Sequence, residues 1–257
     1  MTDSPYDHDH TARYYDLSHS WLTDDIPFVL AQAREAGGPV LELGCGSGRL
    51  LVPLARAGHA VVGVDNAPEM LARAEARLAA EPGDVRARAR LVAGDVRTLR
   101  LPAEEGAFAL AFFGYNTFMH LDEAAVAATL RRLRPLLRRG GRLLLDVDNP
   151  LALSAAGDDP DFSLEDVLED EALGETIRQY TAYESIPGHQ AVDVTWVYEP
   201  DRSEPAQARV RYHYLYPHQY DLVLGLTDFR LNAFYGDYDG RPFDEESERL
   251  IVIGEAV

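Results

Sequence analysis

Lysine is absent from this 257-residue chain. All 24 basic residues are arginine, against 43 acidic ones, and the formal net charge is −19. So large a deficit of positive charge argues against a nucleic-acid partner, because binding a polyanion usually requires a basic surface. The local exception is the crowd of Arg131, Arg132, Arg134, Arg138, Arg139 and Arg142. It reads as a solvated helix face and the turn after it. Cysteine is scarce: Cys45 stands alone, which excludes an intramolecular disulfide. No run approaches the roughly 18 apolar residues of a membrane span, and residues 1–10 hold no apolar signal core. The expectation is a cytoplasmic protein with no membrane partner.

What is present is apolar residue in short, punctuated runs. Hydrophobic side chains make up 46% of the chain, enough for a packed core, and the length suits one large α/β domain or one domain with a sizeable insertion. Residues 1–12 read as a loose polar tail. Tyr14, Tyr15, Trp21, Ile26, Phe28, Val29 and Leu30 then predict one or two amphipathic helices, closed by Gly37-Gly38-Pro39. Buried strands are expected at 40–43, 60–64, 90–93, 108–113 and 142–147. Helices are expected at 50–57, 68–80 and 122–137, the last ended by Gly140-Gly141. This alternation means a parallel sheet with helices on both faces.

The pattern changes after Asn149-Pro150. Residues 158–175 hold nine carboxylates and no basic residue, and read as a solvated loop or a mobile lid. Three β-rich runs follow, at 176–185, 190–198 and 206–214, with turn signals between them. They predict an antiparallel insertion. Residues 216–225 predict the last helix, and 228–235 with 249–254 a terminal antiparallel pair. The expected fold class is α/β: a doubly wound, Rossmann-like, mostly parallel seven-stranded sheet with an antiparallel terminal strand and a β-rich insertion after strand 5. The expected organisation is a helical cap over 1–36, the core over 37–150, the insertion over 151–215, and the last helix and terminal strands over 216–257.

Glu42-Leu43-Gly44-Cys45-Gly46-Ser47-Gly48 lies between a strand and a helix. Glycine permits the tight turn and lets a ligand lie against backbone N–H groups. A dinucleotide fold prefers G-x-G-x-x-G, whereas the spacing here is G-x-G-x-G. Asp65 ends the second strand, 21 residues after Gly44, where an acid reaches ribose hydroxyls. A carboxylate only accepts hydrogen bonds, so it suits a diol. Gly94-Asp95-Val96 ends the third strand, and Phe112-Phe113-Gly114-Tyr115-Asn116 the fourth. All four groups fall at carboxyl ends of parallel strands, where open α/β sheets bind ligands.

The glycine-rich stretch resembles the first motif of class I S-adenosylmethionine-dependent methyltransferases. The likeness extends over Val62-Gly63-Val64-Asp65-Asn66-Ala67-Pro68-Glu69-Met70-Leu71, Val92-Ala93-Gly94-Asp95-Val96 and Asn116-Thr117-Phe118-Met119-His120-Leu121. It continues through Arg138-Arg139-Gly140-Gly141-Arg142-Leu143 and through the tail around Tyr235-Gly236-Asp237-Tyr238. The tail is similar to that of a bacterial small-molecule branch containing aminosugar N-methyltransferases and glycine N-methyltransferase. The resemblance implies S-adenosylmethionine as cofactor and a small-molecule methyl acceptor, with N-methylation ahead of O-methylation. It implies a cofactor site of Tyr15, Glu42, Gly44, Cys45, Gly46, Asp65, Asn66, Met70, Gly94, Asp95, Val96, Phe113 and Gly114. The insertion would form a small β-layer over the substrate. A cofactor-binding protein without catalysis, and an NAD(P)-dependent oxidoreductase, stand as alternatives, and a homodimer as a candidate assembly.

Methyl transfer from a sulfonium is an in-line displacement in which the protein supplies position and a dry site. A base is needed only where the nucleophile must lose a proton. His120 follows the fourth strand and is the candidate base; a histidine bonded at a helix start is the competing reading. Tyr14 is a candidate to close over the site, or else a core residue. Tyr115, Asn116, Arg211 and Tyr235 are candidate substrate residues, with Tyr212, His213, Asp237, Asp239 and Arg241 beside them. Cys45 lacks a partner base and reads as a small turn residue. Asp146, Asp148 and Asn149 offer oxygens to magnesium, but the partner acid expected after the fourth strand is missing, so no metal is expected.

Overall fold

The computed structural model describes residues 9–155 and 159–257. Residues 1–8 of the expected tail lie outside them, and the helix α1 (Asp9–Ser18) begins inside the predicted tail. It is followed by α2 (Asp25–Ala36), which stops at Gly37, left-handed at φ +64, whose N–H bonds back to Ala33. Five parallel strands come next, four of them followed by a helix. They are β1 (Val40–Leu43) with α3 (Leu51–Arg56), and β2 (Val61–Asp65) with α4 (Pro68–Ala79) and the short α5 (Gly83–Arg86). Then come β3 (Ala89–Ala93), β4 (Phe108–Phe113) with α6 (Glu123–Leu133), and β5 (Leu137–Asp148) with α7 (Pro150–Ala155). α6 begins where Asp122 Oδ1 accepts the Ala125 N–H at 2.8 Å.

The insertion is a separate antiparallel sheet of four strands in sequential order: β6 (Asp159–Asp170), β7 (Glu175–Ser185), β8 (Ala191–Pro200) and β9 (Ala206–His213). α8 (Pro217–Gly225), β10 (Phe229–Tyr235) and β11 (Arg249–Ala256) complete the chain. The main sheet runs β3-β2-β1-β4-β5-β11-β10, parallel from β3 to β5, with β11 antiparallel to both its neighbours. Alternation along the strands fills two cores. Val40, Leu110, Phe112 and Ile251 pack under α2, α3 and α4; Leu41, Leu43, Phe113 and Leu145 pack toward α6, α8 and the insertion sheet. Among the described residues no helix is long and apolar enough to cross a membrane.

Two segments differ from expectation. The helix over 122–137 ends at Leu133, and a 3-10 turn over Arg134–Leu136 follows. Pro135 has no N–H to continue the ladder. Gly140-Gly141 therefore does not end a helix. It makes a bulge inside β5, where Gly140 has φ +75 and the register against β4 jumps from Phe108↔Leu137 to Leu110↔Arg142. The acidic stretch is not a loop but the edge strand β6, paired along its length with β7. Its apolar residues Phe162, Leu164, Val167 and Leu168 suit a pleated surface, and its carboxylates blunt the open edge.

Candidate active site

A cavity of about 660 Å3 opens beyond the carboxyl ends of β1 and β4, where the strand order reverses. The strand ends of the main sheet, the C-terminal part of α1 and the insertion sheet all line it.

Its floor is the glycine turn after β1. Gly44 (φ +72) fits because a Cβ there would overlap the Thr117 methyl, with Thr117 Oγ1 at 2.9 Å. Gly46 (φ +51) has nothing within 4 Å of a notional Cβ, so its backbone faces open space. Asp65 locks the turn: Oδ2 accepts the Gly46 N–H at 2.8 Å and Oδ1 the Ala67 N–H at 2.9 Å. A carboxylate has about four acceptor positions, so Asp65 can hold the turn and still meet a ligand hydroxyl. Asn66, Met70, Gly94, Asp95 and Val96 line the same cavity. Arg97 chelates Asp95 through Nε and Nη2, at 2.9 and 2.6 Å to Oδ2, and these bonds hold the Asp95 carboxyl below its usual range.

Behind the turn lies a small recess lined by Glu42, Cys45 and Gly114, with Tyr15, Gly44 and Gly46 shared between recess and cavity. Glu42 is buried, and its Oε2 has no hydrogen-bond partner among the described residues. Burial pushes its carboxyl well above the usual range, against the pull of Arg49. The Cys45 thiol is buried beside Gly63 and is likewise pushed up by burial, which suits a packing residue and not a nucleophile.

The loop after β4 carries Tyr115 (φ +35) and Asn116 (φ +68), both in the left-handed region. Such strain persists only where neighbours over-determine it. Here Asp146 Oδ2 accepts the Tyr115 N–H at 3.0 Å, and the Asp146 carbonyl accepts the Asn116 N–H at 2.9 Å. The Asn116 amide donates to Asp148 Oδ2 at 2.9 Å and accepts from the Asp148 N–H at 2.8 Å. Behind both acids stands Arg249, with a side chain only 9% exposed. It donates to Asp146 Oδ1 at 2.7 Å, to Asp148 and to Asn116 Oδ1 at 3.1 Å, and its guanidinium lies 4.7 Å from the Tyr115 ring centre. Tyr238 adds a bond to Asp146 Oδ2 at 3.0 Å. Of the oxygens weighed for magnesium, those of Asp146 and Asp148 are thus engaged by a guanidinium, and Asn149 Oδ1 accepts the Leu151 N–H at 2.9 Å.

Two histidines face the cavity. His120 ends the 3-10 turn Thr117–His120, edge-on to Tyr212 at 5.3 Å. His19 follows α1, stacks on Tyr15 at 4.0 Å and meets Tyr115 edge-on at 5.0 Å. Burial lowers each imidazole to about 4, so both are neutral at pH 7. His120 is an exposed residue whose open side is the cavity.

Several candidates sit elsewhere. Tyr14 is only 2% exposed and stacks on Tyr198 at 4.8 Å, among Leu168 and Ile177. Neighbouring helix positions point about 100° apart, so Tyr15 reaches the cavity and Tyr14 does not. Arg211 pairs bidentately with Asp193, directly opposite on β8, at 2.6 and 2.7 Å. Period-2 alternation puts it on the face opposite Tyr212, which lines the cavity. Tyr235 packs edge-on to Phe28 in the core beneath α2, and Phe113 is fully buried against Phe118. His213, Asp237, Asp239 and Arg241 do not line the cavity either. Sequence reading missed His19, Arg97, Arg249 and the insertion residues Glu165, Gln179 and Trp196. Arg249 did carry a signal: a charge directly abutting the apolar run Leu250-Ile251-Val252-Ile253 needs a counter-charge if that strand is buried.

Residues 40–141 match the family model described as a methyltransferase domain. A protein of Geobacillus sp. (strain WCH70) classed as a methyltransferase is 30% identical over 169 residues, 65% of this chain and 60% of that protein. The cypemycin N-terminal methyltransferase of Streptomyces sp. is 32% identical over 160 residues, 60% of this chain and 62% of that one. The matched region thus spans about three fifths of the length of these curated relatives. Among solved structures, the CcbJ methyltransferase of Streptomyces caelestis superposes with a TM-score of 0.76 at 26% identity, covering 91% of this chain and 88% of that one.

Proposed function

We propose that this chain, whose residues 40–141 form a methyltransferase domain, transfers a methyl group from S-adenosylmethionine to a small-molecule acceptor, with nitrogen favoured over oxygen as the attacked atom. The observation that carries the reading is the convergence of four strand ends on one cavity: the Gly44–Gly46 turn, Asp65, Asp95 and Tyr115-Asn116. The 32% identity to the cypemycin N-terminal methyltransferase supports nitrogen.

The residues present fit the cofactor. Gly46 leaves its backbone open, and Glu42 keeps an unpartnered oxygen in the recess behind the turn. Asp65 would accept from the ribose hydroxyls, with Asn66 and Met70 beside them. Gly94, Asp95 and Val96 would hold the adenine part, and Tyr15 with Gly114 the methionyl part. When bound, the cofactor supplies an electrophilic methyl group on its sulfonium. The protein contributes position and exclusion of water. Neutral His120 accepts a hydrogen bond from the acceptor and orients its lone pair. With its pKa near 4 it does not store the proton, which leaves to solvent.

S-adenosylhomocysteine titrated by calorimetry tests the cofactor assignment. Asp65→Ala is expected to weaken binding roughly ten-fold to a hundred-fold, the range of a hydrogen bond to a charged group. Equal affinity in both proteins sinks the ribose role. For turnover, His120→Asn is expected to lower kcat without removing any pH break between 6 and 8. A break lost with the histidine would make it a general base instead.

A further inference from the structure

The insertion sheet presents the cavity with hydrogen-bond acceptors and aromatic rings. Glu165 on β6 lies at a register shift: Leu164 pairs with Tyr180 and Asp166 with Gln179, which leaves Glu165 as the extra residue of a bulge. Bulges re-aim side chains, and Glu165 lines the cavity. Its carboxylate is held from one side only. Gln179 Nε2 donates to Oε2 at 2.7 Å, and the Thr181 hydroxyl donates to the same oxygen. Oε1 has no donor.

Gln179 supplies a second, independent observation. It is 5% exposed and lines the cavity, yet its Oε1 has no partner among the described residues. Its amide orientation is set by the bond to Glu165, since a carboxylate can only accept. A buried carbonyl oxygen without a donor is destabilising, and a ligand donor would recover that loss. Arg97 is the one cationic side chain lining the cavity among the described residues, and Asp95 engages it. Nothing there neutralises Glu165. Tyr183, Trp196 and Tyr198 stand in the same walls. Burial, reinforced by Glu165, pushes the Tyr183 phenol up to about 12, so that ring stays neutral.

From this geometry we infer that Glu165 Oε1 and Gln179 Oε1 form a subsite for a protonated amine, an ammonium carried by the methyl acceptor and packed against these aromatic faces. The inference rests on the methyltransferase reading above and adds the acceptor's charge to it. An ammonium donates three hydrogen bonds and accepts none, so it matches two acceptor oxygens that lack a donor among the described residues. It also gains from ring faces that a neutral hydroxyl does not exploit. An anionic acceptor is excluded by the same unneutralised carboxylate.

The test uses three matched probe pairs on the full chain saturated with S-adenosylhomocysteine: tyramine with tyrosol, phenethylamine with 2-phenylethanol, and cyclohexylamine with cyclohexanol. Affinities are read by calorimetry or ligand-observed NMR. At least one amine is expected to bind about ten-fold or more tightly than its alcohol, the worth of one charge-assisted hydrogen bond. Glu165→Gln, nearly isosteric, is expected to erase that preference while leaving S-adenosylhomocysteine affinity within about two-fold, since the substitution is remote from the strand-end motifs. Equal binding within every pair, no binding by any amine, or a preference that survives Glu165→Gln overturns the subsite. Failure of the wild-type chain to bind S-adenosylhomocysteine would instead bring down the methyltransferase reading beneath it.

Discussion

Arg249 concentrates more of the site's electrostatics than any glycine in it. Its guanidinium is buried between Asp146 and Asp148, and burial works against the charge while the two carboxylates outweigh it. Removing one partner of a buried pair leaves the others uncompensated, at about 3–5 kcal/mol. Arg249→Leu is therefore expected to lower unfolding free energy by about that much in a urea titration, and to release the left-handed Tyr115-Asn116 loop. A loss near ~0.5 kcal/mol, the size of an exposed ion pair, would show that the network is dispensable. Tyr14 is the opposite case, a residue that looks chemical and packs. Tyr14→Phe is expected to leave kcat within about two-fold, because its ring lies against Tyr198 and not in the cavity. Tyr14→Ala should cost about 3 kcal/mol of stability as a core truncation. A large kcat loss in the phenylalanine variant at full stability would restore a catalytic tyrosine.

At the scale of elements, α1 and the insertion sheet act as one wall. Arg13 pairs with the buried Asp170 at the end of β6, and Tyr14 stacks on β8, so the strand and the helix it carries are docked together. Tyr15, Ser18 and His19 are delivered to the cavity by that docking. α6 depends less on tertiary context. Its Asp122 cap satisfies an N–H at the helix start, and Asp122→Ala should cost about 1 kcal/mol in denaturant with S-adenosylhomocysteine affinity unchanged. Coupled loss of affinity would mean that the cap also positions His120, two residues upstream.

For the whole molecule, acid is the informative stress. His19 and His120 have folded pKa values of about 4, below the ordinary 6.5, with burial the leading cause. Between those values the unfolded chain binds more protons than the folded one, so stability must fall as pH falls. The contribution is intact above pH 6.5 and is lost progressively down through about pH 4. The melting temperature of a His19→Asn, His120→Asn double variant should decline less steeply over that window than that of the parent. Parallel curves would mean that neither ring is desolvated in solution.

Period, turn chemistry and strand-end residues are local properties, and the sequence by itself determined them: five parallel strands, the glycine turn, Asp65, Asp95 and the Tyr115-Asn116 loop. Local pattern also foretold the insertion, because alternation is visible strand by strand. It could not tell an acidic edge strand from an acidic loop, since β6 gains its order only by pairing with β7. Nor could it decide which of two adjacent tyrosines reaches the cavity, or that Arg249 crosses from one strand to the acids of another. Those facts depend on contacts between residues about a hundred positions apart, as Arg249 to Asp146 shows. The tertiary structure decided them, because burial, charge pairing and the facing of two sheets exist only once distant segments pack.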